Sequence, residues 1–210
     1  MNWTRQIRSY LVREIPIEDL LPDQLPDFVR SYVYLFGVLT IASFLMLILS
    51  GIVLVMFGPE WWHISAVGRF FNSIHFWSVQ AFFFFMVLHL WAQFFMMAWR
   101  GGRGANWITG VLLFVVSILA AFTGFLSQQN FDSQWIALQG KDAFNALGIG
   151  AFFNLLNFGQ IYGLHVFLLP LVVAALIGVH LYLVRSKGVV TPYEPEKTQV
   201  AKQSGSSRHE

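Results

Sequence analysis

Residues 72–99 read NSIHFWSVQAFFFFMVLHLWAQFFMMAW, a run apolar enough to cross a bilayer that nonetheless carries His75 and His89. The same arrangement returns near the C-terminus with His165 and His180. Ionisable side chains inside a membrane span are costly and mark function. His75 and His89 are fourteen residues apart, which puts their rings about 21 Å apart along a helix and about 40° apart in azimuth. His165 and His180 are fifteen apart, giving about 22 Å and about 60°. Two helices packed antiparallel are expected to oppose His75 to His165 and His89 to His180, at two depths in the bilayer. Two facing imidazoles at each depth make two six-coordinate haem sites. A single histidine in an apolar helix also reads as a hydrogen-bonded core residue or a proton relay. Two pairs of nearly equal spacing on two spanning helices favour ligation.

The composition around this stretch agrees. The chain has 210 residues, 56% of them hydrophobic and only 11% charged, with 22 Phe and 8 Trp, against about 25% charge in a soluble domain. Four segments, at 33–57, 76–99, 107–126 and 164–184, have the length that spans a hydrocarbon core. The expected fold is an all-α integral membrane protein, a four-helix bundle holding two haems with short interfacial helices. Residues 1–32 are expected to form a cytoplasmic amphipathic segment, 33–184 the dihaem transmembrane domain, and 185–210 a polar tail. There is no cysteine, so a thioether-linked haem cannot form and any haem is held non-covalently, as haem b. No cleavable signal peptide is legible, and the first span is expected to be its own insertion signal.

Of the thirteen basic residues, eleven fall on one side of the four spans and only Arg69 and Lys141 on the other. That bias places both termini on the cytoplasmic side of a bacterial cytoplasmic membrane, or of an equivalent energy-transducing membrane. The chain's basic balance therefore implies membrane lipid rather than nucleic acid as its partner. Trp3, Ile7, Tyr10 and Leu11 recur at helical spacing between Arg5, Arg8 and Arg13, the pattern of an interfacial helix or a simple basic anchor. Residues 142–159, DAFNALGIGAFFNLLNFG, repeat that spacing without spanning length and are expected to lie on the outer surface. Pro170, five residues after His165, is expected to kink the last span.

Glycines repeat the histidine interval. Gly37 and Gly51 on the first span are fourteen apart, as are Gly110 and Gly124 on the third. Small residues are common where membrane helices pack, but the shared interval suggests room for a flat macrocycle. Gly51 and Gly124 would fall at the outer haem level and Gly37 and Gly110 at the inner. Arg103 and Arg100, in the tight connection RGGRGAN, sit where a guanidinium could meet an inner haem's propionates. Positive-inside anchoring would also account for the two inner arginines. His63, among interfacial Trp residues, reads as an ordinary interfacial histidine.

These pieces resemble a family. SIHFWS with HLW beyond it, WITGV with Gly124, and YGLHVFLLP followed by HLYLVR are similar to cytochrome b of the quinol:cytochrome c and plastoquinol oxidoreductases. The short form, cytochrome b6, fits best, because His165 and His180 are fifteen apart and the chain stops after its fourth span. The resemblance implies that His75 and His165 ligate an outer haem and His89 and His180 an inner one. It further implies that the four glycines pack against the haems and that Arg103 meets the inner propionates. Electrons from quinol oxidation at the outer face would cross to reduce quinone at the inner face. The implied partners are quinone or quinol, a second membrane subunit resembling subunit IV, a Rieske iron-sulfur protein and a c-type cytochrome, in a dimeric complex.

The chain also departs from the pattern. Family arginines flanking the first and second histidines are replaced by Asn72, Phe76 and Ala92, and the proline-tryptophan segment after Gly124 by Phe125, Leu126, Ser127, Gln128, Gln129 and Asn130. The tetrapeptide Pro59-Glu60-Trp61-Trp62 resembles the family's outer quinol motif but lies in the wrong loop and reads as a chance match. Against that pattern Arg69 is the candidate to compensate at the outer haem's propionates, and fewer arginines should lower the haem potentials. The altered outer segment leaves a rival open, a dihaem anchor linking quinone to a different peripheral oxidoreductase. A haem-free carrier with intramembrane histidines is a third reading, disfavoured because the spans hold no other buried charge.

Overall fold

In the computed structural model, residues 32–191 are described, together with Trp3, Ser9 and Tyr10. Those three have helical backbone; the rest of the expected N-terminal interfacial helix and the tail beyond residue 191 lie outside the described residues. The elements are α1 (Tyr32–Phe57), α2 (Pro59–Ile64), α3 (Ala66–Phe95), α4 (Gly104–Leu126), α5 (Phe131–Ala146), α6 (Phe158–Gly163), a π turn (Leu164–Leu168) and α7 (Leu169–Lys187). No strand occurs among the described residues. Four stretches are long and apolar enough to cross a membrane: α1, α3, α4 and the continuous helix Phe158–Lys187.

Each boundary has a local cause. Gly58, at φ 78°, breaks α1 from α2 in a conformation that side chains rarely adopt. Ser65 caps α3 by accepting from the Gly68 N–H at 3.3 Å. The second span thus begins at Ala66, ten residues before the expected position 76, because the cap and the polar outer turn extend the helix into the interface. It ends at Phe95 rather than 99, where the chain turns through Met97 at φ 53°. The fourth span begins at Phe158, capped by Asn157, six residues earlier than expected.

The surface helix differs more from expectation. Apolar spacing predicts it at 142–159, whereas α5 occupies Phe131–Ala146 and residues 147–157 form turns and irregular chain. Two local signals outweigh the periodicity. Asn130 caps the start by accepting from the Ser133 N–H at 2.9 Å, and Gly148 at φ 75° terminates the other end. Beneath this helix, Leu126, Ala137, Leu155 and Ile161 bury one another with Phe122, Phe144 and Leu164 at one end of the bundle.

The spans alternate in direction. Most of the contact is within two pairs, α1 against α3 and α4 against α7, with little direct contact between α3 and α4. The space between the two pairs is where the histidines meet. Midway along it, Phe44 packs on Phe82 with ring centres 6.0 Å apart, and Phe83 on Phe114 at 6.5 Å.

Candidate functional site

The first level is built from α3 and the start of the long final helix. His75 and His165 face each other with ring centroids 6.2 Å apart and planes at 89°. At the second level His89 and His180 stand 6.5 Å apart at 83°. Two imidazole nitrogens on one metal, each at about 2 Å, lie about 4 Å apart; adding the distance from each nitrogen to its ring centre gives roughly 6 Å. Both pairs have the separation that an ion between them requires.

The pairing corrects one expectation. His75 meets His165 and His89 meets His180, so the two histidine helices run in the same direction. Antiparallel helices would pair His75 with His180. In a bundle whose consecutive spans alternate, the second and fourth must be parallel, and the facing pairs follow from that.

Glycine sets the seat of every ring. A Cβ on Gly51 would lie 3.3 Å from His75 Cε1, on Gly37 3.2 Å from His89 Cε1, on Gly110 3.4 Å from His180 Cε1 and on Gly124 2.5 Å from His165 Cε1. Each glycine is on the partner helix within its pair, so the room it leaves is taken by the back edge of an imidazole. The sequence-based expectation assigned that room to a macrocycle edge. The levels are those expected: Gly51 and Gly124 beside the His75/His165 pair, Gly37 and Gly110 beside the other.

Hydrogen bonds hold the first pair. His165 Nδ1–H donates to the Ala120 carbonyl at 2.9 Å, which leaves the Nε2 lone pair free. His75 Nδ1 lies 2.9 Å from Ser50 Oγ. At the second level neither His89 Nδ1 nor His180 Nδ1 has a side-chain partner among the described residues. That level opens on a cavity of about 330 Å³ whose lining includes His89, His180, Gly37, Gly110, Tyr34 and Arg103.

Arg103 therefore lies at the cavity of the second level. Its Nε donates to the Gly188 carbonyl at 3.2 Å, Nη2 to Val189 at 3.4 Å and Nη1 to Arg100 at 3.3 Å. Three of five guanidinium protons are so used, and one remains on each terminal nitrogen. Tyr34 Oη donates to the Val190 carbonyl at 2.8 Å, so the chain after α7 folds back over this end. Arg100 is exposed in the turn before α4. Arg69, exposed at the other end, donates to the His63 carbonyl at 3.3 Å.

The departures at Asn72 and Gln128 are brought together as well. Asn72 and Gln128 exchange two amide hydrogen bonds, both 3.1 Å, and His63 Nε2–H donates to the Gln128 carbonyl at 2.9 Å. Where the resemblance leads one to expect arginine, a neutral amide pair ties α3 to the end of α4. Sequence reasoning missed Ser50, the Ala120 carbonyl and Tyr34. Ser50 had one legible clue, its place immediately before Gly51; a backbone acceptor and a bond spanning 156 residues had none.

The profile of the family described as Cytochrome b(N-terminal)/b6/petB matches residues 80–207, more than half of the chain. The chain belongs to that family. As a member of the cytochrome b family it binds haem b, and the spacing of the histidine pairs, the glycine seats and the cavity between the helix pairs suit that group. It is similar to cytochrome b6 of Heliobacterium modesticaldum, 27% identical over 214 residues, covering 91% of this chain and 100% of that one. It is 28% identical over 204 residues to the menaquinol:cytochrome c reductase cytochrome b subunit of Geobacillus thermodenitrificans, covering 83% and 91%. Among solved structures it resembles a chain of a hyperthermophilic respiratory complex III, with a TM-score of 0.70 and 23% identity over 91% of this chain and 56% of that one. This cytochrome b fold, with its four apolar helices, makes the chain an integral membrane protein. Its relatives are subunits of larger complexes.

Proposed function

We propose that this cytochrome b carries electrons across the membrane between the quinol-oxidising and quinone-reducing sites of a bc-type complex. The observation that carries the reading is the stacking of two facing histidine pairs in one bundle, 6.2 and 6.5 Å between ring centroids. His75 and His165 hold the outer haem b, and His89 and His180 the inner one. When bound, each haem iron takes up and gives back one electron at a time.

The chain's own residues hold, orient and isolate those groups. Gly37, Gly51, Gly110 and Gly124 let the imidazoles seat against neighbouring backbones. Ala120 fixes His165 with its coordinating nitrogen unprotonated. Phe44, Phe82, Phe83, Phe114 and the buried Val173 form a dry layer between the levels. Arg103 offers its two remaining protons to propionate at the inner level, while Arg69 and Arg100 are exposed on their loops and are weaker candidates. Eleven of thirteen basic residues on one side support a cytoplasmic location for both termini. A second membrane subunit completing the quinone sites, a Rieske protein and a c-type cytochrome in a dimeric complex are the partners this reading requires.

The test is a reduced-minus-oxidised spectrum and haem extraction on the complex purified from its native membrane, with its other proteins identified. Two extractable haems b per chain and a Rieske subunit are expected. No haem would overturn the reading, and a different redox partner would replace the bc-type assignment with the anchor. His75→Leu and His89→Leu should each remove one haem and leave the other.

A further inference from the structure

We propose that Ser50 is a positioning residue for the outer haem: its hydroxyl holds His75 in the Nδ1–H tautomer and raises the basicity of Nε2. The inference rests on the ligand assignment above. Ser50 is 4% exposed, and its Oγ stands 2.6 Å from the Met46 carbonyl and 2.9 Å from His75 Nδ1. A hydroxyl has one proton to donate. The carbonyl can only accept, and it stands closer than the imidazole, so the proton goes to Met46 and the oxygen accepts from His75 Nδ1–H. The result is a chain in one direction, from imidazole to hydroxyl to carbonyl.

Such a chain acts on the far nitrogen. An imidazole that donates its second N–H becomes a more basic ligand and is fixed in ring orientation. A more basic axial ligand stabilises the ferric over the ferrous state and so lowers the potential of the iron it binds. The arrangement is one-sided: among the described residues no side chain bonds Nδ1 of His89 or of His180, although the Asn106 backbone lies beside His180, so no hydroxyl chain of this kind acts at the second level. The Leu47 carbonyl also lies beside His75, so removal of the hydroxyl leaves a backbone environment and a bounded effect. Ser43, seven residues earlier, bonds the Leu39 carbonyl at 2.8 Å in the same helical geometry and serves as control.

The experiment is a spectroelectrochemical titration of the purified complex carrying Ser50→Ala, with the two b haems resolved. One couple is expected to move positive, the ferrous-to-ferric ratio at fixed ambient potential rising by up to about tenfold, equivalent to about 59 mV for one electron. The second couple should stay, Ser50→Thr should return the first towards its original value, and Ser43→Ala should move neither. Loss of one haem in Ser50→Ala with retention in Ser50→Thr would equally support the hydroxyl's role. Two retained haems with unmoved couples, or equal shifts of both, would overturn it. Absence of haem from the unaltered complex would instead overturn the ligand assignment.

Discussion

Gly124 is the tightest of the four glycine seats, and its substitution should be the most damaging. The added Cβ would lie 2.5 Å from His165 Cε1 and 3.0 Å from Nδ1, while that ring is tied to Ala120 and cannot yield without losing its bond. Gly124→Ala is therefore expected to halve the extractable haem per chain. Gly110→Ala, whose Cβ would meet His180 at 3.4 Å, an ordinary contact, should keep both haems. Gly163→Ala, with nothing within 4 Å, should leave the haem count unchanged and stabilise the helix by at most about 1 kcal/mol. Haem extraction on the purified variants orders the series; two haems retained in Gly124→Ala, or a haem lost in Gly110→Ala or Gly163→Ala, would contradict it.

Among the elements, the π turn explains why the two histidine intervals differ. The Leu169 N–H reaches back to the Leu164 carbonyl, five residues away, in place of the usual four. Pro170 has no N–H to offer, so the ladder shifts around it rather than closing regularly. The wide turn absorbs one residue, and His165 to His180 covers in fifteen residues what His75 to His89 covers in fourteen. Next to Pro170, where a kink is expected, the structure has this π turn. Deleting Phe167, an exposed residue of the turn, should restore an even ladder and retain both haems. Inserting one alanine after Phe167 should displace His165 and cost the outer haem, as read from the spectrum.

At the scale of the whole molecule, the two helix pairs enclose space that their own side chains do not fill, including the cavity of about 330 Å³ beside His89 and His180. A group that binds the folded bundle and fills that space stabilises it in proportion to its binding. Chain made under haem starvation should accordingly melt at lower temperature and be cut faster by protease than haem-replete chain. Its orientation is testable separately. A fluorescent protein that matures only in the cytoplasm, fused after residue 210, should be bright, and the same fusion placed in the α4–α5 connection should be dark.

Composition alone settled that the chain enters a membrane, because 11% charge leaves too little polar surface for a soluble domain. Local periodicity was enough for the spans and for the spacing of the four histidines and the matching glycines along them, since these depend on helical geometry along one element. The parallel run of the two histidine helices, the imidazole as occupant of each glycine seat, and the Ser50 and Ala120 partners were decided only in tertiary structure. Each depends on which faces of different helices meet, and no property of a single helix encodes that. The surface helix was misplaced for a related reason: residues 142–159 carry an amphipathic pattern, but a cap at Asn130 and a left-handed Gly148 act on the backbone directly and set the boundaries. The arginine roles were the least legible. A guanidinium within reach of three backbone carbonyls is indistinguishable in sequence from one that anchors the chain at the membrane surface.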